Sequence, residues 1–259
     1  MKQILLSGVK KFFGIALALC YKHPENKTTT MEFRNFTYLI LLVGSIAVPL
    51  LLSFDKKVQY YKNLKYIFPA ILVTAIIFWV WDIRFVEAQI WSFNAEYTIG
   101  LDLKGMPIEE WLFFIVVPYC CVFIYEVLKF YLKKFEYANV FRLFSLFLIV
   151  GFALISYFFR HQSYTFLTFL FSAVYLSYIL IRNKFKPYIT KFYFAFFVSL
   201  IPFMVVNGIL TSLPVVKYNP DHIMNIRILN IPLEDFSYLF LMLLMVTTIF
   251  ETMKSSKYY

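Results

Sequence analysis

The sequence has little of what soluble proteins use to build folds and sites. Only 15% of its 259 residues are Asp, Glu, Lys or Arg, and it contains seven glycines and three cysteines. Cys20, Cys120 and Cys121 form no CxxC spacing, which excludes a zinc ribbon and a disulfide framework and leaves them as small packing residues. His23, His161 and His222 are scattered, with no HExxH pattern. GxGxxG and the phosphate-loop pattern are absent, which argues against a Rossmann dinucleotide site and a nucleotide triphosphate site. Paired DxxxD elements that could hold magnesium are absent too, so no metal and no stoichiometric cofactor are expected.

What is present is hydrocarbon: 61% of residues are hydrophobic and 22% aromatic. Apolar runs at Thr37–Phe54, Lys65–Trp81, Trp111–Leu128, Val140–Phe159, Tyr164–Ile181, Phe192–Leu213 and Ile231–Phe250 match the length of a bilayer core, which predicts an all-α integral membrane protein of seven spans. Thirteen lysines and arginines follow spans one, three, five and seven, against five in the opposite loops. The positive-inside rule therefore places the C-terminus in the cytoplasm of a multi-pass cell-membrane protein, a bacterial inner membrane being the expected site. The net charge of +10 is dealt out loop by loop rather than gathered on one face, so nucleic acid is not an expected partner. Residues 1–34 have a basic, apolar start broken by Lys10 and Lys11, without a small-residue cleavage site, and read as an extension forming a surface-lying amphipathic helix.

The chain repeats itself. Shifted by 125 residues, MPIEEWLFF (Met106–Phe114) falls on IPLEDFSYL (Ile231–Leu239), pairing Pro107 with Pro232, Glu109 with Glu234 and Glu110 with Asp235. The same shift pairs Asn94 with Asn219, Asp82 with Asn207, Phe93 with Tyr218 and Glu126 with Glu251. Spans three and seven, each opening on an acidic pair, then run the same way. The plan is two parallel three-helix repeats, 35–134 and 161–254, joined by a linker helix within 135–160.

One reading of each Pro-x-Glu-(Glu/Asp) element is good helix capping, with proline in the first turn and acids at the positive end of the helix dipole. Capping, however, needs no second copy at a fixed offset. Neighbouring carboxyls cannot both ionise cheaply, so one can hold a proton while another remains a base. The acids Glu109, Glu110, Glu234 and Asp235 are thus candidate catalytic groups, with Arg84 and Arg227 as candidate counter-charges. Trp91, Phe93, Trp111, Phe113, Tyr218 and Tyr238 form either an interfacial aromatic belt or a cavity wall able to stabilise a carbocation. Asn94 and Asn219 are candidate substrate-binding residues, and Asp82 and Asn207 candidates for fixing the acids, although loop capping explains each. Glu126 and Glu251 are expected near the cytoplasmic ends beside lysines.

These elements, PIEEWLFF and PLEDFSYLF together with WDIRF, WSFN and VNGILTSLPVVKYN, resemble the integral-membrane lycopene cyclase family, in which two three-span modules occur separately or fused. The family's PxEExxFF signature is met by Pro107, Glu109, Glu110, Phe113 and Phe114; in the second copy Asp235, Tyr238 and Leu239 replace the later positions. The resemblance implies redox-neutral, acid-initiated cyclisation of lycopene to γ-carotene and β-carotene, without the flavin of soluble-type cyclases. Lycopene, γ-carotene and membrane lipid are the implied partners, with other carotenoid-pathway enzymes as further candidates. A small transporter on the same plan would want a polar path along its axis, which spans four and five do not offer. A non-catalytic scaffold for carotenoid enzymes would need no duplicated acids.

Overall fold

The computed structural model describes residues 33–183 and 185–255. The extension expected over 1–34 lies outside them except for its last two residues, which enter a short 3-10 helix, Phe33–Phe36. Seven α-helices follow: α1 (Thr37–Leu52), α2 (Leu64–Glu87), α3 (Ile108–Tyr131), α4 (Ala138–Phe158), α5 (Ser163–Arg182), α6 (Ile189–Ser212) and α7 (Leu233–Ser255). Each, with α1 taken together with the 3-10 turn before it (Phe33–Leu52), is long and apolar enough to cross a bilayer, where a helix satisfies its own backbone hydrogen bonds. The protein is a multi-pass membrane protein of all-α class.

α1 packs on α3, and α5 on α7, while α2 crosses to α7 and α6 to α3. The repeats therefore interlock through their second and third helices. Helix α7 is the most enclosed, with Leu239 to Leu244 all buried; α4 lies against α5 and α6 and shows Leu143, Phe147 and Phe158 outward, as a lipid-facing helix does.

The symmetry is visible in the backbone. Strand β1 (Trp91–Phe93) pairs antiparallel with β4 (Val216–Tyr218) in the register Trp91 to Tyr218, Ser92 to Lys217 and Phe93 to Val216. A shift of 125 residues maps this register onto itself, which places a pseudo-two-fold axis at the Ser92–Lys217 pair. The flanking bonds obey the same operation: Asn94 N–H donates to Val215 O at 2.9 Å and Asn219 N–H to Ile90 O at 2.8 Å.

Each acidic pair is introduced by a two-residue hairpin, β2 (Asp102–Leu103) to β3 (Met106–Pro107) in the first repeat and β5 (Arg227–Ile228) to β6 (Ile231–Pro232) in the second. The turn residues Lys104 and Gly105 have φ of 58° and 77°, and Leu229 and Asn230 have 48° and 66°, a primed turn in both copies. A Cβ on Gly105 would come within 3.1 Å of Val86, so a side chain there would press on Val86 as well as meet the positive φ. The hairpins revise the proline reading. Pro107 is extended, with ψ of 150°, and caps α3 from the end of β3 instead of occupying the first turn; Pro232 likewise ends β6. The acids still fall in the first turn of α3 and α7.

Candidate active site

Because α3 and α7 run parallel about the pseudo-axis, their acidic first turns meet at one end of the bundle. The second member of each pair, Glu110 and Asp235, lines a single partly open cleft. Asp82 of α2 and Asn207 of α6, related by the same 125 residues, line it too, so three carboxyls face one space. The walls are aromatic, with Trp91 and Phe93 from β1, Phe113 from α3, Tyr218 from β4 and Tyr238 from α7.

Hydrogen bonding distinguishes the two carboxyls. Glu110 Oε2 accepts from the Tyr38 hydroxyl at 2.5 Å. Asp235 accepts from three donors: Tyr164 at 2.8 Å on Oδ1, and Asn207 Nδ2 and Tyr218, each at 2.7 Å, on Oδ2. Asp82 Oδ1 accepts a short bond from Tyr238. Burial of the Tyr218 hydroxyl, reinforced by the adjacent Asp235, pushes its pKa well above the ordinary value of a tyrosine, so it stays a proton donor. Among the described residues, no lysine or arginine forms an ion pair with Asp82, Glu110 or Asp235. Their donors among the described residues are hydroxyls and one amide.

A model of the family described as lycopene cyclase matches residues 35–128 and 161–253, both repeats and the larger part of the chain. The chain belongs to the lycopene cyclase family. The two matched segments leave out the connection that contains α4. No protein of curated function and no solved structure matches the chain.

Within this lycopene cyclase fold the first acids of the two pairs point elsewhere. Glu109 Oε1 accepts the backbone N–H of Ile99 at 2.8 Å, and Glu234 Oε1 that of Met224 at 2.7 Å. The amides, like the acids, are 125 residues apart. Both acids are fully buried and pin the loop ten residues upstream, Glu234 with a further bond from Thr165 at 2.5 Å. They tie the loops upstream of α3 and α7 to the helix starts and do not line the cleft.

Other expected site residues are also displaced from the cleft. Asn94 and Asn219 cap short 3-10 turns, accepting from Glu96 N at 3.2 Å and Asp221 N at 3.1 Å. Trp111 lies tilted against Trp79, ring centroids 5.1 Å apart, and its carbonyl accepts the Trp79 indole N–H at 3.2 Å. The expected counter-charges are not found beside the acids: Arg84 pairs with Glu87 on the exposed surface, and Arg227 lies 5.7 Å above the Tyr218 ring with an N–H on the Asn230 carbonyl. Glu126 and Glu251 do meet lysines, at the far end of α3 and α7.

Tyr38 and Tyr164 are the residues that a gapless shift misses. They are 126 residues apart, not 125, in the stretches TYLIL and SYTFL. Allowing one extra residue between the first and second helices of the first repeat brings them into register, and each then touches the cleft carboxyl of its own repeat.

Proposed function

We propose that the chain is a lycopene β-cyclase that converts each acyclic end of lycopene to a β-ionone ring, giving γ-carotene and then β-carotene. The observation that carries this reading is the unequal support given to two repeat-related carboxyls in one aromatic cleft. Three donors stabilise Asp235 as a carboxylate, whereas Glu110, with one tyrosine and Asp82 across the cleft, is the group that keeps its proton.

Glu110 then acts as the acid. Its proton goes to C2 of the end group, leaving a cation at C1; the 5,6 double bond attacks, forming the C1–C6 bond and moving the cation to C5. Asp235 removes the proton from C6, which regenerates a double bond at C5. One proton enters and one leaves, and no electrons are gained or lost, so the step calls for no redox cofactor. Faces of Trp91, Phe113 and Tyr238 around the cleft stabilise the cation while excluding water that would quench it. Asp82, held by Tyr238, is a further acid facing the same space. Glu109 and Glu234 are positioning residues that hold the loops leading into α3 and α7.

The test is pigment analysis of a lycopene-accumulating bacterium expressing this chain beside Glu110→Gln and Asp235→Asn at equal membrane abundance. Conversion to γ- and β-carotene by the parent and retention of lycopene by both variants is the expected result. Unchanged lycopene with a well-expressed parent would sink the assignment, and ε-ring products would overturn the β-ring chemistry.

A further inference from the structure

The carboxyl cleft continues into a second, partly open apolar cleft, with which it shares Phe113, Phe203, Asn207 and Leu239. This second space is a groove between α1, α3 and α6. On α3 it is walled by Phe113, Val117, Cys120 and Ile124, positions that share one helix face, and on α1 by Ser45. From Glu110 to Ile124 the helix rises about 21 Å, a large part of the roughly 30 Å hydrocarbon core of a bilayer. Of its few polar groups, Cys120 donates to the Ser45 carbonyl at 3.4 Å and the Ser45 hydroxyl to the Leu41 carbonyl at 2.6 Å, while the buried Ser199 hydroxyl has no hydrogen-bond partner among the described residues. A long apolar slot that ends among carboxyls fits an extended hydrocarbon chain bearing a reactive terminus.

The duplicated architecture should produce a matching groove between α5, α7 and α2. It is filled instead. The positions equivalent to Val206 and Ser45 are Trp81 and Phe171, whose rings meet with centroids 5.2 Å apart, and Trp81 also packs at 5.4 Å on Tyr238, the counterpart of Phe113. Cys120 is answered by Met245. Small residues line the groove in one repeat, and bulky ones occupy the same positions in the other.

We propose that the polyene chain of the substrate lies in the α1–α3–α6 groove alone, with Trp81 and Phe171 closing its symmetry mate, so that one end group reaches the carboxyls per binding event. The proposal rests on the cyclase reading above. A carotenoid must then leave and re-enter reversed to receive its second ring, and the singly cyclised product is a released intermediate.

The test transplants the plug. Val206→Trp with Ser45→Phe installs in the open groove the residues that fill the other. In the lycopene-accumulating host, and in visible circular dichroism of lycopene added to the purified full chain, it is expected to lower cyclised product by about tenfold or more and to abolish the bound-pigment signal. Should the double variant fail to reach the membrane, Cys120→Met, the counterpart residue at one position, carries the same expectation. A filled-groove variant as abundant as the parent that still binds and cyclises lycopene would overturn the single-groove proposal and leave the cyclase reading standing. A parent that leaves lycopene uncyclised would remove the reading itself and the proposal with it.

Discussion

Asn207 donates its amide to Asp235 across 2.7 Å, and the residue 125 positions earlier, facing the same cleft, is Asp82. An amide in one repeat and a carboxyl in the other make the two halves of a symmetric scaffold chemically unequal. Asp235 gains a donor, whereas Glu110 gains a neighbouring acid. Asn207→Asp should erase that inequality by deleting a donor and adding a like charge. A hydrogen bond to a charged group contributes about 1.5–3 kcal/mol, so product formed per unit protein should fall by about tenfold to a hundredfold. Unchanged turnover in membranes of matched abundance would mean that Asp235 does not work as the charged partner.

The tyrosines should be unequal for the same reason. Tyr38 is the only donor to Glu110 among the described residues, and Tyr164 is one of three on Asp235. Tyr38→Phe is therefore expected to reduce cyclisation more than Tyr164→Phe. Initial rates of lycopene consumption in isolated membranes compare them directly. Equal losses would show that donor number does not set the two carboxyls apart.

Glu109 and Glu234 allow a separation of positioning from proton transfer. Glutamine keeps the carbonyl oxygen that accepts Ile99 N–H or Met224 N–H, and alanine does not. Glu109→Gln and Glu234→Gln should retain most cyclisation. The alanine variants leave a partly buried amide without its carboxylate, at up to about 1–3 kcal/mol, and should lower both activity and the melting temperature in detergent. If the glutamine variants are as inactive as Glu110→Gln while melting like the parent, the first acids take part in the chemistry.

Seven spans, their parallel repeats and the doubled acids are legible in the sequence because each has a linear signature: apolar length, a fixed offset, a short motif. Which acid of each pair faces the cleft is not. Glu109 and Glu110 are consecutive in a helix and so point about 100° apart, and only packing of α1 and the hairpin decides which is turned inward. Tyr38 escapes a gapless comparison because one residue separates the register of α1 and α5 from that of the later helices. The arginines mislead for a different reason. Arg84 and Arg227 are near the acids in sequence, yet a desolvated guanidinium is costly, and exposure with Glu87 or stacking above Tyr218 spares that cost.

At the opposite end of α3 and α7 the repeats are clasped by a reciprocal exchange of charge. Lys129 pairs with Glu251 through a short contact, and its counterpart Lys254 pairs with Glu126 at 3.0 Å, so each helix lends a lysine to the other's acid. Tyr125 adds a bond to Glu251 at 2.8 Å, and Asn63 one to Glu126 at 2.6 Å. Glu251 is only 3% exposed, and stripping its cation would leave a buried carboxylate uncompensated, at about 3–5 kcal/mol. Lys129→Met should therefore lower the melting temperature of the detergent-solubilised protein markedly. Adding Glu251→Gln removes the orphaned charge and should restore most of the loss. A double variant no more stable than Lys129→Met would show that the lysine acts through packing against Tyr188, 4.7 Å from its ring, and not through the ion pair.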